Sequence, residues 1–439
     1  MKKLLSVVVL LLVSQVAIAV PEIQQWTTTN GVRVLFSQAK EIPIVDVRVV
    51  FDAGAARDNG KPGRAAMTNG LLAEGAGNLD ADTIAQRLDD VGAQMGSGSL
   101  RDMAWLSMRS LSDEKVLRET TALLSLILSS PTFPERSFER QRKSMLVGLQ
   151  ASKQDPASVA EKAFMKAVYG SHPYASPPEG TEDSLNNMTV DDLRQHYKKY
   201  YVANNAVIAI VGDLDRMKAE ALAEVLTSKL AAGEKAPALP QVKDTEGKMV
   251  RVDHPSTQSH VWVGQPGMTR SDPDYYTLYV GNHTLGGSGL VSLLSEEVRE
   301  KRGYAYSVYS YFSPMREAGP FQMVLQTKNE HTMKAFDVLR DTTKRYLDNG
   351  ITPEQLTASK QNITGGFALR LDSNKKLAEY LTMIGFYGLP LDYLNNFNSR
   401  IEAITVEQIN DAFRRRVKPE NMITVIVGPK VATAAADPG

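Results

Sequence analysis

The sequence predicts an α+β protein of two similar domains, each a mostly antiparallel sheet covered by helices. Three observations carry this. First, the chain repeats itself: Thr189–Gly212 (TVDDLRQHYKKYYVANNAVIAIVG) lies on Thr405–Gly428 (TVEQINDAFRRRVKPENMITVIVG) without a gap, matching helix, turn asparagine and apolar strand. A repeat this long implies two domains and not a solenoid of short units. Second, runs of period-two alternation are followed in each half by helical runs and then by a closing strand, which is the α+β order. Third, residues 231–248 (AAGEKAPALPQVKDTEGK) are charged, proline-bearing and poor in bulky apolar side chains, the composition of a linker. The domains are therefore placed at 20–230 and 249–430, with a small polar tail at 431–439.

In chain order, Lys2 and Lys3, an apolar run from Leu4 to Val13 and Ala17-Ile18-Ala19 form an export signal, with cleavage expected after Ala19. The apolar run is short for a transmembrane helix and no other segment reaches about 18 apolar residues. The mature chain is thus expected in the periplasm, off the membrane. Ile44–Phe51 alternates as a half-buried strand, with Val45, Val47, Val49 and Phe51 on one side. A polar, glycine-rich loop follows to Gly63, then a helix from about Arg64 to Ala73. Ile84, Leu88 and Val91 define a helix with Asp80 or Asp82 as its cap. Asp113–Leu128 is helical, Pro131 and Pro134 end it, and Glu135 opens a long polar helix towards Gln154. Thr189, with Asp192 three residues on, marks the next helix start, and Ala206–Val211 is a buried strand.

Composition removes some function classes. Fifty basic side chains balance fifty acidic ones, with no basic patch, so nothing recruits nucleic acid or an anionic membrane surface. The absence of cysteine excludes disulfides and a Cys-linked lipid anchor.

The most informative stretch is Gly286–Phe312 (GGSGLVSLLSEEVREKRGYAYSVYSYF). Leu290, Leu294 and Val298 recur at helical spacing, Gly303 stands where a left-handed cap ends the helix, and an alternating strand follows. Alternation puts Tyr304, Tyr306 and Val308 on one face and Ala305, Ser307 and Tyr309 on the other. Arg299 and Tyr306 then flank one corner, where a guanidinium can grip peptide carbonyls and a phenol can donate to a carbonyl oxygen gaining charge. Local rules offer another explanation, since helix C-termini favour Arg and strands favour packed Tyr. His254 and His260 lack carboxylate or thiolate neighbours that would make them a metal site. His172, before Pro173, reads as a residue that fixes its loop. The GGSG turn lacks the spacing and lysine of a phosphate loop.

Several spaced motifs together resemble the pitrilysin, insulin-degrading enzyme and mitochondrial processing peptidase family of zinc peptidases. They are Asp52-Ala53-Gly54 with the loop to Gly63, Pro131-Thr132-Phe133-Pro134-Glu135, His172-Pro173-Tyr174 with Gly180-Thr181, Tyr200-Tyr201 with Asn205, Val211-Gly212-Asp213, and Arg299-Glu300-Lys301-Arg302-Gly303 before Ala305-Tyr306. The resemblance spans nearly the whole mature chain and implies two α+β roll halves that close on each other.

The chain departs from the family at one decisive place. Active relatives carry His-x-x-Glu-His on the helix after the first loop, two imidazoles sharing a helix face and a glutamate activating the metal-bound water. Here that helix reads GRAAMTNGLLAEG, and the motif's positions fall on Ala66, Asn69 and Gly70. The family's third, acidic ligand is expected near Val147 and Gly148, yet no acidic residue lies between Glu139 and Asp155. No zinc is expected in this chain. The resemblance implies that Arg299 and Tyr306 face the zinc of a catalytic sister chain and act on peptide there in trans. The alternative is a non-enzymatic peptide-binding or scaffold protein that kept the chamber and lost the chemistry.

Overall fold

The computed structural model describes residues 22–430; the export signal and the tail lie outside the described residues. The first half builds a six-stranded sheet from β1 (Gln24–Thr27), β2 (Arg33–Gln38), β3 (Ile44–Phe51), β4 (Gln94–Ser99), β5 (Ala104–Leu111) and β6 (Ala206–Gly212). Their order is β1-β2-β6-β3-β5-β4, antiparallel except where β2 meets β6. The second half builds a five-stranded sheet from β7 (Lys248–Asp253), β8 (Gln258–Met268), β9 (Ala305–Phe312), β10 (Gly319–Lys328) and β11 (Ile423–Gly428). Its order is β9-β10-β8-β11-β7, with one parallel pair, β11 with β7. β9 is therefore an edge strand with one unpaired side.

The helices used below are α1 (Arg64–Gly70), α2 (Ala81–Asp90), α3 (Glu114–Ser129), α4 (Glu135–Gln154), α5 (Pro156–Tyr169), α6 (Val190–Tyr200), α7 (Arg216–Thr227), α8 (Tyr275–Asn282), α9 (Thr332–Asn349), α10 (Pro353–Gly365), α11 (Asn374–Tyr387) and α12 (Val406–Arg416). The repeat is visible at its helix starts. Thr189 opens α6 with a complete capping box through Asp192, and Thr405 opens α12 with the same device through Gln408.

Each sheet has one face on the helices of its own half, as expected, but the other face is covered too. α5 of the first half packs on β8 and β11 of the second sheet, and α11 of the second half packs on β6, β3 and β2 of the first. Phe164 of α5 lies 5.5 Å from Trp262, ring to ring, in a cluster with Val425 and Val427. Leu377, Leu381 and Ile384 of α11 share a core with Leu35, Ala209 and Val211. Gly385 permits this approach, because a Cβ there would stand 2.5 Å from Val207. This exchange corrects the reading of β3 as half-buried: Asp46 and Val50, on its outer side, are buried as well.

The 231–248 segment carries no helix or strand until Lys248 opens β7, yet it is tied along its length. Ala231 O accepts from Ala203 N, Pro237 O from the Arg57 guanidinium at 2.7 Å, and Thr245 Oγ1 donates to Asn421 O at 2.6 Å. No helix among the described residues is long and apolar enough to cross a membrane.

Candidate peptide-handling site

The corner carrying Arg299 departs from a regular amphipathic helix. Leu290 and Val291 are exposed, Gly289–Val291 is a single tight turn, and Ser295–Glu300 is a widened, π-type turn; of the apolar side chains here, Leu294, just before that turn, and Val298 within it are fully buried. The expected helix of 290–298 is corrected accordingly: the GGSG run opens this tight turn, and Leu290 is no core residue. Glu297 anchors the widened turn. It is 9% exposed and accepts from Lys301 Nζ at 2.7 Å, Arg302 Nη1 at 2.9 Å and Arg345 Nη2 at 2.9 Å. These bonds, Lys301's first and Arg345's next, pull its carboxyl down to about 2. Gly303, at φ 63°, ends the turn in the left-handed region, as expected.

Arg299 is not among the partners of Glu297, and its side chain is half-buried. Its ion partner is the adjacent Glu300 at 3.4 Å, and its guanidinium carbon stands 5.2 Å from the Tyr306 ring centroid. The structure thus brings the two predicted residues together, by a device the alternation did not predict. Ala305 pairs with Thr327 and Ser307 with Gln326, so Tyr306 is the extra residue of a β-bulge. Ala305 and Val308 both face the core, while Tyr306 is 82% exposed. The expected grouping of Tyr306 with Val308 on one face is therefore wrong, and the bulge is the reason.

In the first half, the positions of the zinc motif do different work. Asn69 is 2% exposed and its amide is fully engaged: Nδ2 donates to Gly98 O at 2.9 Å and Trp105 O at 3.2 Å, and Oδ1 accepts from Tyr201 OH at 3.0 Å. It clamps β4 and β5 to α1 and to Tyr201, the residue that caps the end of α6. Ala66 is half-buried, Gly70 is exposed, and Val147 and Gly148 are exposed on α4. A methyl, a hydrogen, a committed amide and an isopropyl group supply none of the imidazole or carboxylate donors zinc requires, so these residues do not fit the metal. Among the described residues no three His, Asp or Glu side chains are grouped to hold one elsewhere. His254 Nε2 faces Lys153 O at 3.2 Å, and His172 accepts from Tyr174 N and faces Pro240 O at 2.8 Å, which fixes its loop.

A joint between the halves was not foreseen. Asp102, 4% exposed, accepts from Tyr174 OH at 2.6 Å, from Tyr387 OH at 3.0 Å and from Arg316 N at 2.7 Å. Burial pushes its carboxyl above the ordinary range despite these donors. Tyr174 OH also accepts from Glu317 N, and Tyr169 OH donates to Ala318 O, both at 3.0 Å. Arg57 grips Asp52 with two bonds of 2.7 and 2.9 Å, and Arg316 approaches the same carboxylate at 3.3 Å while lying on Phe386. The loop between β9 and β10 is thereby held by the first half. Asp52 and Tyr174 belong to the quoted motifs, but apart from Arg57, five residues on from Asp52, the partners of these two side chains lie far away in sequence.

Comparison with known proteins now decides the family. A family model described as Insulinase (Peptidase family M16) matches residues 33–182, and one described as Peptidase M16 inactive domain matches residues 187–363. A crystal structure described as peptidase M16 inactive domain from Pseudomonas fluorescens is 38% identical, with a TM-score of 0.91 over 93% of this chain and 98% of that one. The chain is a member of the M16 peptidase family. A Bacillus subtilis M16 relative called an uncharacterized zinc protease, YmxG, is 25% identical over 93% of this chain and 98% of its own. A Helicobacter pylori relative called non-peptidase homolog YmxG is 24% identical over 91% of this chain and 92% of its own. The α+β architecture of two domains is that of the M16 fold.

Proposed function

We propose that this chain is the zinc-free subunit of a two-chain M16 metalloendopeptidase of the periplasm, binding peptide and presenting Arg299 and Tyr306 to a catalytic sister chain. One observation carries the reading: Arg299 and Tyr306 stand together with the tyrosine exposed, while the motif helix of the same chain has Asn69 committed to structure. A pair kept for packing would be buried. The name non-peptidase homolog given to the Helicobacter pylori relative agrees with a member inactive on its own.

In this reading, metal chemistry at the scissile bond belongs to the sister chain. This chain receives an extended peptide along the unpaired side of β9, whose main chain offers strand-like hydrogen bonds. Arg299 holds a peptide carbonyl, and the Tyr306 hydroxyl donates to the carbonyl oxygen as charge develops on it. The first half forms an inert wall of the chamber. The periplasmic assignment rests on the export signal.

Reconstitution tests the proposal. An exported M16 chain carrying His-x-x-Glu-His is purified alone and with this chain, and cleavage of an unstructured peptide is followed. Activity that needs both chains, with zinc held by the sister alone, is expected. Full activity of the sister without this chain, or stoichiometric zinc in this chain, overturns it.

A further inference from the structure

Beside β9 lies a second feature that the zinc-site comparison does not touch. A cavity of ≈ 650 Å³ opens between β9, α8 and the end of α10, the size of a small-ligand site. Its walls carry Arg270, Arg370 and four tyrosines, and no aspartate or glutamate lines it. Tyr275 and Tyr279 stack at 6.2 Å, and Tyr309 and Tyr311 at 5.8 Å. Arg270 lies over Tyr275 at 5.2 Å and Arg370 over Tyr279 at 5.9 Å. Neither arginine forms an ion pair among the described residues. The side chain of Arg270 donates to the Met383 sulfur, and its Nε is buried without a partner. Two guanidiniums left unneutralised in an aromatic-walled cavity create a demand for an anion, and a planar carboxylate meets their donor geometry.

We infer that this cavity is a carboxylate-binding subsite for peptide, accepting a C-terminal carboxylate or an acidic side chain. The inference rests on the peptide-handling role proposed above, and adds a substrate class to it. Tyr309 and Tyr311 follow Tyr306 on β9 by three and five positions, roughly 10 to 17 Å at strand rise. An extended peptide anchored there by its carboxylate lays a bond about three to five residues away at the Arg299–Tyr306 corner.

The test uses the mature chain alone and a short, labelled, unstructured peptide in three forms: free acid, C-terminal amide, and amide with a glutamate near its end. Anisotropy titration is expected to show the acid binding roughly tenfold or more tightly than the plain amide. Arg270→Gln and Arg370→Gln should each erase that preference, and Tyr306→Phe should leave it. Recovery of affinity by the glutamate-bearing amide identifies a side-chain carboxylate as sufficient; its failure to recover assigns the subsite to the C-terminus. Equal binding of all three peptide forms overturns the inference. So does an intact preference in Arg370→Gln, at an exposed position, with thermal unfolding of that variant as the folding control. These readings need no sister chain, so their failure is separate from failure of the reconstituted pair.

Discussion

The Arg299 guanidinium lies 5.2 Å from the centre of the Tyr306 ring, and a β-bulge is what brings the ring there. An arginine over an aromatic face is held by the ring quadrupole while its N–H groups stay free for other acceptors. Arg299→Lys keeps the charge and loses the planar fork. It should raise KM for peptide in the reconstituted pair more than it lowers kcat, with unfolding of the purified chain unchanged; steady-state kinetics against thermal unfolding checks this.

Asn69 bears on stability. Asn69→Ala removes three hydrogen bonds and leaves the Tyr201 hydroxyl unpaired in a buried site, which should cost about 2 to 4 kcal/mol in urea unfolding. Tyr201→Phe removes one of these bonds and should cost about 1 kcal/mol.

Restoring the motif should not restore the metal. In Ala66→His/Asn69→Glu/Gly70→His a carboxylate is forced towards the two carbonyls that Asn69 now binds as a donor, and Val147 still supplies no third ligand. The triple variant should be less stable than the wild type and should retain no stoichiometric zinc after dialysis, as read by elemental analysis.

Glu297 gives the arginine corner an acid limit. Its folded pKa lies below its ordinary value, so its contribution is present above about 4.5 and is lost as pH falls towards about 2. Stability measured across that window should fall for the wild type. Glu297→Gln should flatten this part of the profile, because the three basic partners no longer have a charge to meet.

At the joint, Tyr174 and Tyr387 come from different halves and donate to the two oxygens of one buried carboxylate. Removing either leaves the other to satisfy Asp102. Tyr174→Phe and Tyr387→Phe together should therefore destabilise by more than their sum, with a coupling of about 0.5 to 2 kcal/mol in a double-mutant cycle.

Local chemistry was legible in the sequence wherever a signal is short-range. β3 and α4 run between the residues expected, and the threonine starts of α6 and α12 are true capping boxes, because alternation, proline and capping act within a few residues. The pairing of Arg299 with Tyr306 was expected, and so was the left-handed Gly303. The route between them was not: a bulge is set by β10 across the ladder, and the widened turn by Arg345 on α9, neither of which leaves a mark near residue 306. For the same reason the exchange of α5 and α11 was invisible, since an amphipathic helix does not state which sheet it covers. The cavity proposed to take a carboxylate depends on Arg270 and Arg370, a hundred residues apart in sequence, lining the same walls, which is beyond any spacing rule.

The account stands most directly on the Tyr306 hydroxyl. Tyr306→Phe removes one oxygen from an 82% exposed side chain, so assembly with the sister and thermal unfolding should be unchanged. Turnover of the reconstituted pair should fall by roughly 10² to 10³, the loss of one donor to a developing oxyanion. Wild-type turnover with phenylalanine at that position would contradict the role assigned to this chain.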